Sequence, residues 1–140
     1  MEIGGFEFRV SDLDGCRVIE TIYPKTIDIS KLAQTIASYY DLWDDETPTV
    51  SLGNLCQLGE LSDEAQQILK SVIQRTVLLP SFVGAAWYTG DNDTVYDEIA
   101  RVRREAGRPT NDVFRTREDA VAFLRTAIHA WRTSRPESEA

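Results

Sequence analysis

The chain has 140 residues, 42% of them hydrophobic and 27% charged, and its formal net charge is −8. This length and apolar fraction predict one globular domain that buries a sizeable core without a metal or a disulfide. The acidic balance argues against a nucleic-acid ligand and against an anionic membrane surface, because both attract clusters of Lys and Arg.

Two cysteines and one histidine do not suffice for a zinc site of the common types, so the sequence predicts neither a metal nor a cofactor. Cys16 and Cys56 are expected to be buried free thiols. The first eight residues lack the basic and apolar regions of a signal peptide, and the longest apolar runs are far shorter than the roughly 20 residues of a membrane span. We therefore expect a cytoplasmic protein with no membrane insertion.

Two β-rich segments begin the chain. Residues 6–10 alternate between apolar and polar, which is typical of a strand with one solvated face. Residues 16–23 are a second candidate strand, and the turn-forming sequence Asp-Leu-Asp-Gly at residues 12–15 separates the two. This pattern predicts an antiparallel hairpin.

The middle of the chain alternates between helix and strand. Ser30 is predicted to cap a first helix, whose apolar residues recur at helical spacing. Residues 49–58 are predicted to form a buried strand. Ser62 is predicted to cap the second helix, with Asp63 and Glu64 in a first turn where the helix dipole favours negative charge.

The same alternation continues to the end of the chain. Residues 82–88 are a largely apolar run, which indicates a central strand covered on both faces. A third helix is predicted to begin with Asp93 or Thr94 as its cap, and residues 111–115 are predicted to form a short strand. A capping-box-like pattern at Thr116 begins the last helix.

The predicted order is therefore β-β-α-β-α-β-α-β-α. Because parallel strands that alternate with helices are joined by right-handed crossovers, this order indicates an α/β fold with a mostly parallel sheet, an antiparallel N-terminal edge strand and four helices. We expect a single domain over residues 1–133 and a polar tail over residues 134–140.

The sequence contains no complete catalytic constellation. The glycine-rich patterns that hold nucleotide phosphates are absent. His129, the only histidine, lies off the apolar stripe of the last helix, is expected to face solvent, and is far in sequence from Ser62 and Cys56. The paired carboxylates lie in turns or on polar faces, where nothing drives their proton affinities apart. The sequence thus predicts a protein that is not an enzyme and has no catalytic residues.

Aromatic side chains suggest a ligand pocket as an alternative. Trp87 and Tyr88 lie at the carboxyl end of a predicted parallel strand, where open α/β sheets bind their ligands. Together with Trp43 they could line an apolar pocket, although such spacings are also typical of a packed core. The function that a pocket would indicate is a small-molecule or lipid carrier.

Two stretches of the chain carry a family resemblance. The sequence PTVSLGNLCQLGELSDEA, over residues 48–65, resembles the strand–loop–helix of STAS and SpoIIAA-like domains, which are the anti-sigma-factor antagonists. The sequence VFRTREDAVAFL, over residues 113–124, resembles the short strand and acidic, capped helix with which such domains end. The resemblance covers most of the chain in element order and implies a SpoIIAA-like fold.

The resemblance also implies a function. It suggests a non-enzymatic regulatory module of a bacterial pathway, which binds a partner kinase or an anti-sigma factor and is switched by phosphorylation of a serine in an Asp-Ser-Ser-Gly motif. The corresponding stretch here is GELSD, over residues 59–63, which lacks that motif. Ser62 is its only phosphorylatable residue, Glu60 would supply a permanent negative charge, and Asp63 adjoins the serine.

Self-association is a further expectation for an α/β domain with an exposed edge hairpin. The hairpin or a helix face could pair with its copy in a homodimer. Trp131, near the carboxyl end of the last helix, is expected to be exposed and to be a candidate contact.

Overall fold

The protein is described here by a computed structural model, which covers residues 1–108 and 111–134. Its sheet contains six strands in chain order, antiparallel from the first to the third and parallel from the third to the sixth. The strands are β1 (Glu2–Ile3), β2 (Phe6–Leu13), β3 (Cys16–Ile22), β4 (Thr49–Asn54), β5 (Phe82–Tyr88) and β6 (Val113–Phe114). The helices are α1 (Ile29–Asp41), α2 (Asp63–Thr76), α3 (Asp93–Glu105) and α4 (Arg117–Thr133).

The order of the strands explains where the helices lie. From β3 to β6 every crossover moves in the same direction across the sheet, and crossovers between parallel strands are right-handed. The connecting helices α1, α2 and α3 therefore pack on one face, which we call the three-helix face. Helix α4 follows the last strand and packs on the other face, the α4 face.

Alternation along the strands divides the core between these two faces. In β3, Ile19 contacts the cluster on the three-helix face, whereas Cys16 and Val18 contact the cluster under α4. The three-helix face holds the larger cluster, to which α1, α2 and α3 each contribute. The cluster under α4 is smaller and includes Leu124 and Ile128 of that helix.

Most of the predicted elements are confirmed. The hairpin, the parallel sheet, the four helices and the caps at Ser62 and Thr116 are all present. The two-residue strand β1 is an addition, too short to show a periodic pattern. The strand predicted over residues 49–58 ends at Asn54, and the one predicted over residues 111–115 contains only Val113–Phe114.

The end of β4 has a local cause that also exposes Cys56. The side-chain oxygen of Asn54 accepts a hydrogen bond from the backbone N–H of Cys56 at 3.0 Å, which turns the chain out of the sheet. Cys56 is therefore exposed, contrary to the expectation that both thiols are buried, while Cys16 is buried as expected. Leu55 and Leu58 still reach the core, but from this loop and not from a strand.

Helix α1 begins at a different residue from the one predicted. Asp28 is its N-cap, not Ser30: one Asp28 carboxylate oxygen accepts hydrogen bonds from the Ser30 backbone N–H at 3.0 Å and from the Ser30 hydroxyl at 2.6 Å. Ser30 is thus a first-turn residue. These hydrogen bonds to the ionised form lower the pKa of the Asp28 carboxyl.

The expected exposure of Trp131 is also wrong. Its side chain is partly buried and packs against the cluster under α4. The reason is helical spacing, because Trp131 follows Leu124 and Ile128 on the buried stripe of α4. His129 is exposed, as predicted.

The last six residues of the predicted polar tail, 135–140, lie outside the described residues, and Ser134 is the C-cap of α4. Within residues 1–108 and 111–134, no helix combines the length and the apolar character needed to cross a membrane.

Helix α3 also begins at a different residue from the ones predicted. Asn92 is the N-cap, whereas Asp93 and Thr94, the predicted caps, lie in the first turn. Asn92 accepts a hydrogen bond from the Val95 N–H at 3.0 Å and donates one to the Leu58 carbonyl at 3.0 Å, so it also joins α3 to the loop after β4.

Replacement of Asn92 by Ala is expected to lower the free energy of unfolding by about 1–2 kcal/mol, since it removes both the cap and the loop contact. Thr94→Ala, at an exposed position beside it, is the control and should change that free energy by less than about 0.5 kcal/mol. Urea denaturation followed by circular dichroism measures both. An equal effect of the two variants would contradict the assignment of the cap.

Candidate functional site

The loop after β4 presents an acidic surface at the beginning of α2. Glu60, Ser62, Asp63 and Glu64 are exposed, whereas Leu61 between them is buried in the core. We call residues 59–64 the α2 start. Ser62 is the N-cap, and its hydroxyl oxygen accepts a hydrogen bond from the Ala65 N–H at 3.2 Å. The three candidate residues Glu60, Ser62 and Asp63 thus lie together on one exposed turn.

The α2 start is held in place by α3. Glu98 accepts hydrogen bonds from the backbone N–H of Leu61 at 3.3 Å and from the side-chain amide of Gln66 at 3.2 Å. The Gln66 amide also donates to the Leu61 carbonyl at 2.7 Å, and Arg101 donates to the Gln66 side-chain oxygen. These contacts fix the backbone of the turn from which the exposed carboxylates project.

A cavity of about 80 Å³ lies under α1 and α2 on the three-helix face. Its walls are mainly apolar and come from strands β2 to β5 and from both helices. Aromatic side chains, among them Phe8, Tyr23 and Trp87, form part of the wall, and Leu69 and Ile73 of α2 form another part. The space is a candidate for the apolar ligand pocket that the sequence suggested.

The polar groups of this wall are mostly occupied by internal hydrogen bonds. The Tyr39 hydroxyl is 3.0 Å from the Ser51 hydroxyl. The hydroxyls of Thr35 and Thr76 donate to backbone carbonyls one turn earlier in their own helices, at 3.0 and 2.7 Å. In contrast, the indole Nε1 of Trp87 is buried and has no hydrogen-bond partner among the described residues. It is a buried donor without a partner, and it has almost no surface that opens onto the cavity.

Gly53 explains how Trp87 fits against the sheet. The Trp87 ring lies directly on β4, so closely that a β-carbon at position 53 would come within 2.3 Å of ring carbon Cε3. Tyr23 contacts the Trp87 ring edge-on, with centroids 6.3 Å apart. Both contacts fix the indole at the inner wall of the cavity.

The sequence-predicted pocket residues are only partly brought together. Trp87 lines the cavity. Trp43 lies beside it, stacked on Phe82 with centroids 6.5 Å apart and edge-on to Tyr39 at 6.1 Å. Tyr88 is the neighbour of Trp87 in β5 and therefore points to the opposite face, under α4, so it shares no wall with Trp87.

On the α4 face, Tyr88 belongs to a polar cluster that sequence reasoning missed. Its hydroxyl donates to a Glu20 carboxylate oxygen at 2.5 Å, and Arg117 donates to the other oxygen of Glu20 at 2.9 Å. Glu20 is only 6% exposed. The sequence pattern could have indicated this burial, because Glu20 alternates with the buried Val18 and Ile22 along β3 and therefore lies on the same face of the strand.

The contacts with Glu20 keep Tyr88 and Arg117 protonated. Burial, followed by the hydrogen bond to Glu20, raises the pKa of the Tyr88 hydroxyl, so Tyr88 remains a donor. The hydrogen bond to Glu20 raises the pKa of Arg117. The cluster ties β3 and β5 to the first turn of α4.

Among residues 1–108 and 111–134, no group of three or more His, Cys, Asp or Glu side chains is placed to hold a metal ion.

Replacement of Tyr88 by Phe is expected to reduce the free energy of unfolding by about 1–3 kcal/mol, because the buried Glu20 carboxylate loses a donor. Tyr96→Phe is the matched control, since the Tyr96 hydroxyl donates only a long hydrogen bond, 3.4 Å, to the Val113 carbonyl. Thermal or urea unfolding compares them. A loss at Tyr96 as large as the loss at Tyr88 would show that the Glu20 cluster contributes no specific stability.

Solved structures with a similar fold are known for this chain, but no protein family or curated protein matches its sequence. No protein-family model matches the chain, and no curated protein matches it. Among solved structures, an anti-sigma factor antagonist from Mycobacterium paratuberculosis superposes with a TM-score of 0.53 at 20% identity, over 86% of this chain and 94% of that one. An anti-sigma-factor antagonist (STAS) domain protein from Planctomyces limnophilus superposes with a TM-score of 0.59 at 13% identity, over 84% of this chain and 97% of that one.

At these identities the likeness concerns the course of the backbone. It confirms the resemblance drawn from residues 48–65 and 113–124, and it matches the mixed sheet and four helices described above. The chain therefore has a STAS-like fold, similar to that of anti-sigma-factor antagonists.

Proposed function

We propose that this protein is a non-enzymatic regulatory module that binds a protein partner, a kinase or an anti-sigma-like factor, through the α2 start. The observation that carries the proposal is the exposed acidic turn at residues 59–64, in a fold similar to that of anti-sigma-factor antagonists. The STAS-like fold supports the class of function, and the turn supplies a surface suited to it.

The α2 start has two properties of a recognition surface. It is preorganised, because Leu61 is buried and Glu98 holds its backbone, so little conformational entropy is lost on binding. It is also negatively charged, through Glu60, Asp63 and Glu64. Such a surface selects a partner with a complementary basic patch and accelerates the encounter with it.

Ser62 acts in this proposal as a cap and a contact residue. A phosphate on its hydroxyl would gain from the helix dipole, but Asp63 and Glu64 stand in the same first turn and would repel it. We propose that the carboxylates of Glu60 and Asp63 supply permanently the negative charge that a phosphoserine would supply transiently.

Charge reversal at the α2 start tests this function. Proteins retained from the organism's own extract by the immobilised chain are identified by mass spectrometry, and the purified partner is then titrated by calorimetry. Glu60→Lys/Asp63→Lys is expected to weaken its binding by about tenfold or more, since complementary charges become like charges. The retained partner is expected to be a kinase or an anti-sigma-like protein.

The control is Glu2→Lys/Glu105→Lys, which reverses two exposed carboxylates away from the α2 start. Each Glu→Lys or Asp→Lys change adds two charges, so both double variants go from −8 to −4. Equal weakening by both would assign the effect to net charge. Unchanged binding of the α2-start variant would exclude this surface as the interface.

The cavity under α1 and α2 supports a second candidate function, the binding of a small apolar molecule. The observation in its favour is the unfilled, mainly apolar space of about 80 Å³ beside Trp87. This function is compatible with the first, because the cavity wall includes only the buried Leu61 of the α2 start, whereas Glu60, Asp63 and Glu64 are exposed.

A further inference from the structure

Helix α3 carries a carboxylate at the margin of its buried stripe. The stripe consists of Val95, Ile99 and Val102, which are buried in the core at helical spacing. Glu98 lies three residues after Val95 and therefore on the same side of the helix. It is partly buried, and its carboxylate reaches the loop before α2, where it accepts a hydrogen bond from Leu61. A charged group in this position needs partners, because its burial alone would cost free energy.

Both backbone polar groups of Leu61 are bound by side chains. One oxygen of Glu98 accepts a hydrogen bond from the Leu61 N–H at 3.3 Å, and the other accepts one from the Gln66 amide nitrogen at 3.2 Å. The same amide nitrogen donates to the Leu61 carbonyl at 2.7 Å. These three hydrogen bonds close a ring, which we call the Leu61 clamp and which consists of Leu61, Gln66 and Glu98. The clamp joins α3 to α2 and to the turn that precedes α2.

Arg101 fixes the orientation of the Gln66 amide within the Leu61 clamp. It donates to the Gln66 side-chain oxygen, so the amide nitrogen faces Leu61 and Glu98. Gln66 is 8% exposed and Leu61 is 3% exposed, so water competes little for these hydrogen bonds. The acceptor supplied by Glu98 is a carboxylate, and hydrogen bonds to a charged acceptor are stronger than those between neutral groups. The clamp is therefore a firm attachment of the turn.

The Leu61 clamp acts on the residues of the α2 start that we assign to the partner surface. The cap at Ser62 holds the end of α2 itself, because the Ser62 hydroxyl accepts its hydrogen bond from Ala65, inside the helix. The backbone before the helix, which carries Glu60, is held at Leu61 instead. Loss of the clamp would thus leave α2 capped but would release Glu60 relative to Asp63.

We infer that Glu98 is a positioning residue for partner binding: it holds Leu61, and through Leu61 it sets the geometry of the carboxylates of Glu60 and Asp63. The inference rests on the proposed binding of a partner through the α2 start, and it adds a residue of α3 that controls the affinity of that surface. The physical basis is preorganisation, because a turn that is already ordered loses less conformational entropy when a partner binds.

Hydrogen exchange in the free protein tests the clamp without a partner. The exchange rate of the Leu61 amide is divided by that of the Leu52 amide, because Leu52 is fully buried in β4, between β3 and β5, and reports global unfolding. Glu98→Ala should raise this ratio by about tenfold or more, since the Leu61 N–H loses its acceptor. An unchanged ratio would show that Glu98 does not hold the turn, and it would overturn the inference.

Calorimetric titration with the purified kinase or anti-sigma-like partner retained by the chain tests the consequence for binding. Glu98→Ala should weaken this binding by about fivefold or more, because the turn must then be ordered on binding. Glu98→Gln keeps one acceptor oxygen for the Leu61 N–H and should recover part of the affinity. Asp97→Ala removes an exposed carboxylate from the same helix and is the charge-matched control, which should change the affinity by less than about twofold.

Tyr88→Phe is the control for general destabilisation. It removes a hydrogen bond to Glu20 under α4, on the face of the sheet opposite to α2. This variant should neither raise the ratio of the two exchange rates nor weaken partner binding. Equal weakening by Tyr88→Phe and Glu98→Ala would assign the effect to a loss of overall stability and would overturn the inference.

The remaining outcomes separate the inference from the proposed function. If Glu60→Lys/Asp63→Lys weakens partner binding and Glu98→Ala does not, the α2 start is the interface, but Glu98 does not position it. If neither change affects binding, the proposed interface and the inference are both overturned. Glu98→Gln stands in if Glu98→Ala does not fold: it should change the exchange ratio and the affinity in the same directions by smaller factors. Unchanged values of both in Glu98→Gln would then overturn the inference.

Discussion

The handedness of the crossovers is the constraint on which the rest of this structure depends. Because β3 to β6 follow one another in order, right-handed connections put α1, α2 and α3 on a single face. The other face would be bare without α4, which packs there after the last strand. The Glu20 cluster lies under the first turn of α4 and joins that helix to β3 and β5.

Each face of the sheet contains a buried charged group that is paired with other side chains. Under α4, Glu20 has donors from Tyr88 and Arg117, and on the three-helix face Arg103 pairs with Asp112. A buried charge without such partners would be strongly destabilising. The indole nitrogen of Trp87 lacks a partner of this kind. Because the indole is uncharged, leaving its N–H unpaired costs less than leaving a buried charge unpaired.

Helix α2 joins the two surfaces to which we assign functions. Its N-terminus carries the acidic turn, and its inner face, through Leu69 and Ile73, lines the cavity. The turn is held from the side of α3 by Glu98, whereas the cavity lies between α2 and α1. A protein partner and a small molecule would thus contact the same rigid element at different places, without competing for one surface.

The sequence by itself determined the order of the elements after β1, the hairpin, the parallel sheet, two of the four helix caps and the acidic first turn of α2, because these follow from local periodicity and from nearby donors and acceptors. Only the tertiary structure decided the rest. Tyr88 and Trp87 are adjacent in sequence but point to opposite faces, and Glu20 meets Arg117 only when α4 folds back over the sheet. The cavity likewise depends on the distance between the helices α1 and α2 and the strands beneath them. The residue pattern of a single segment does not determine that distance.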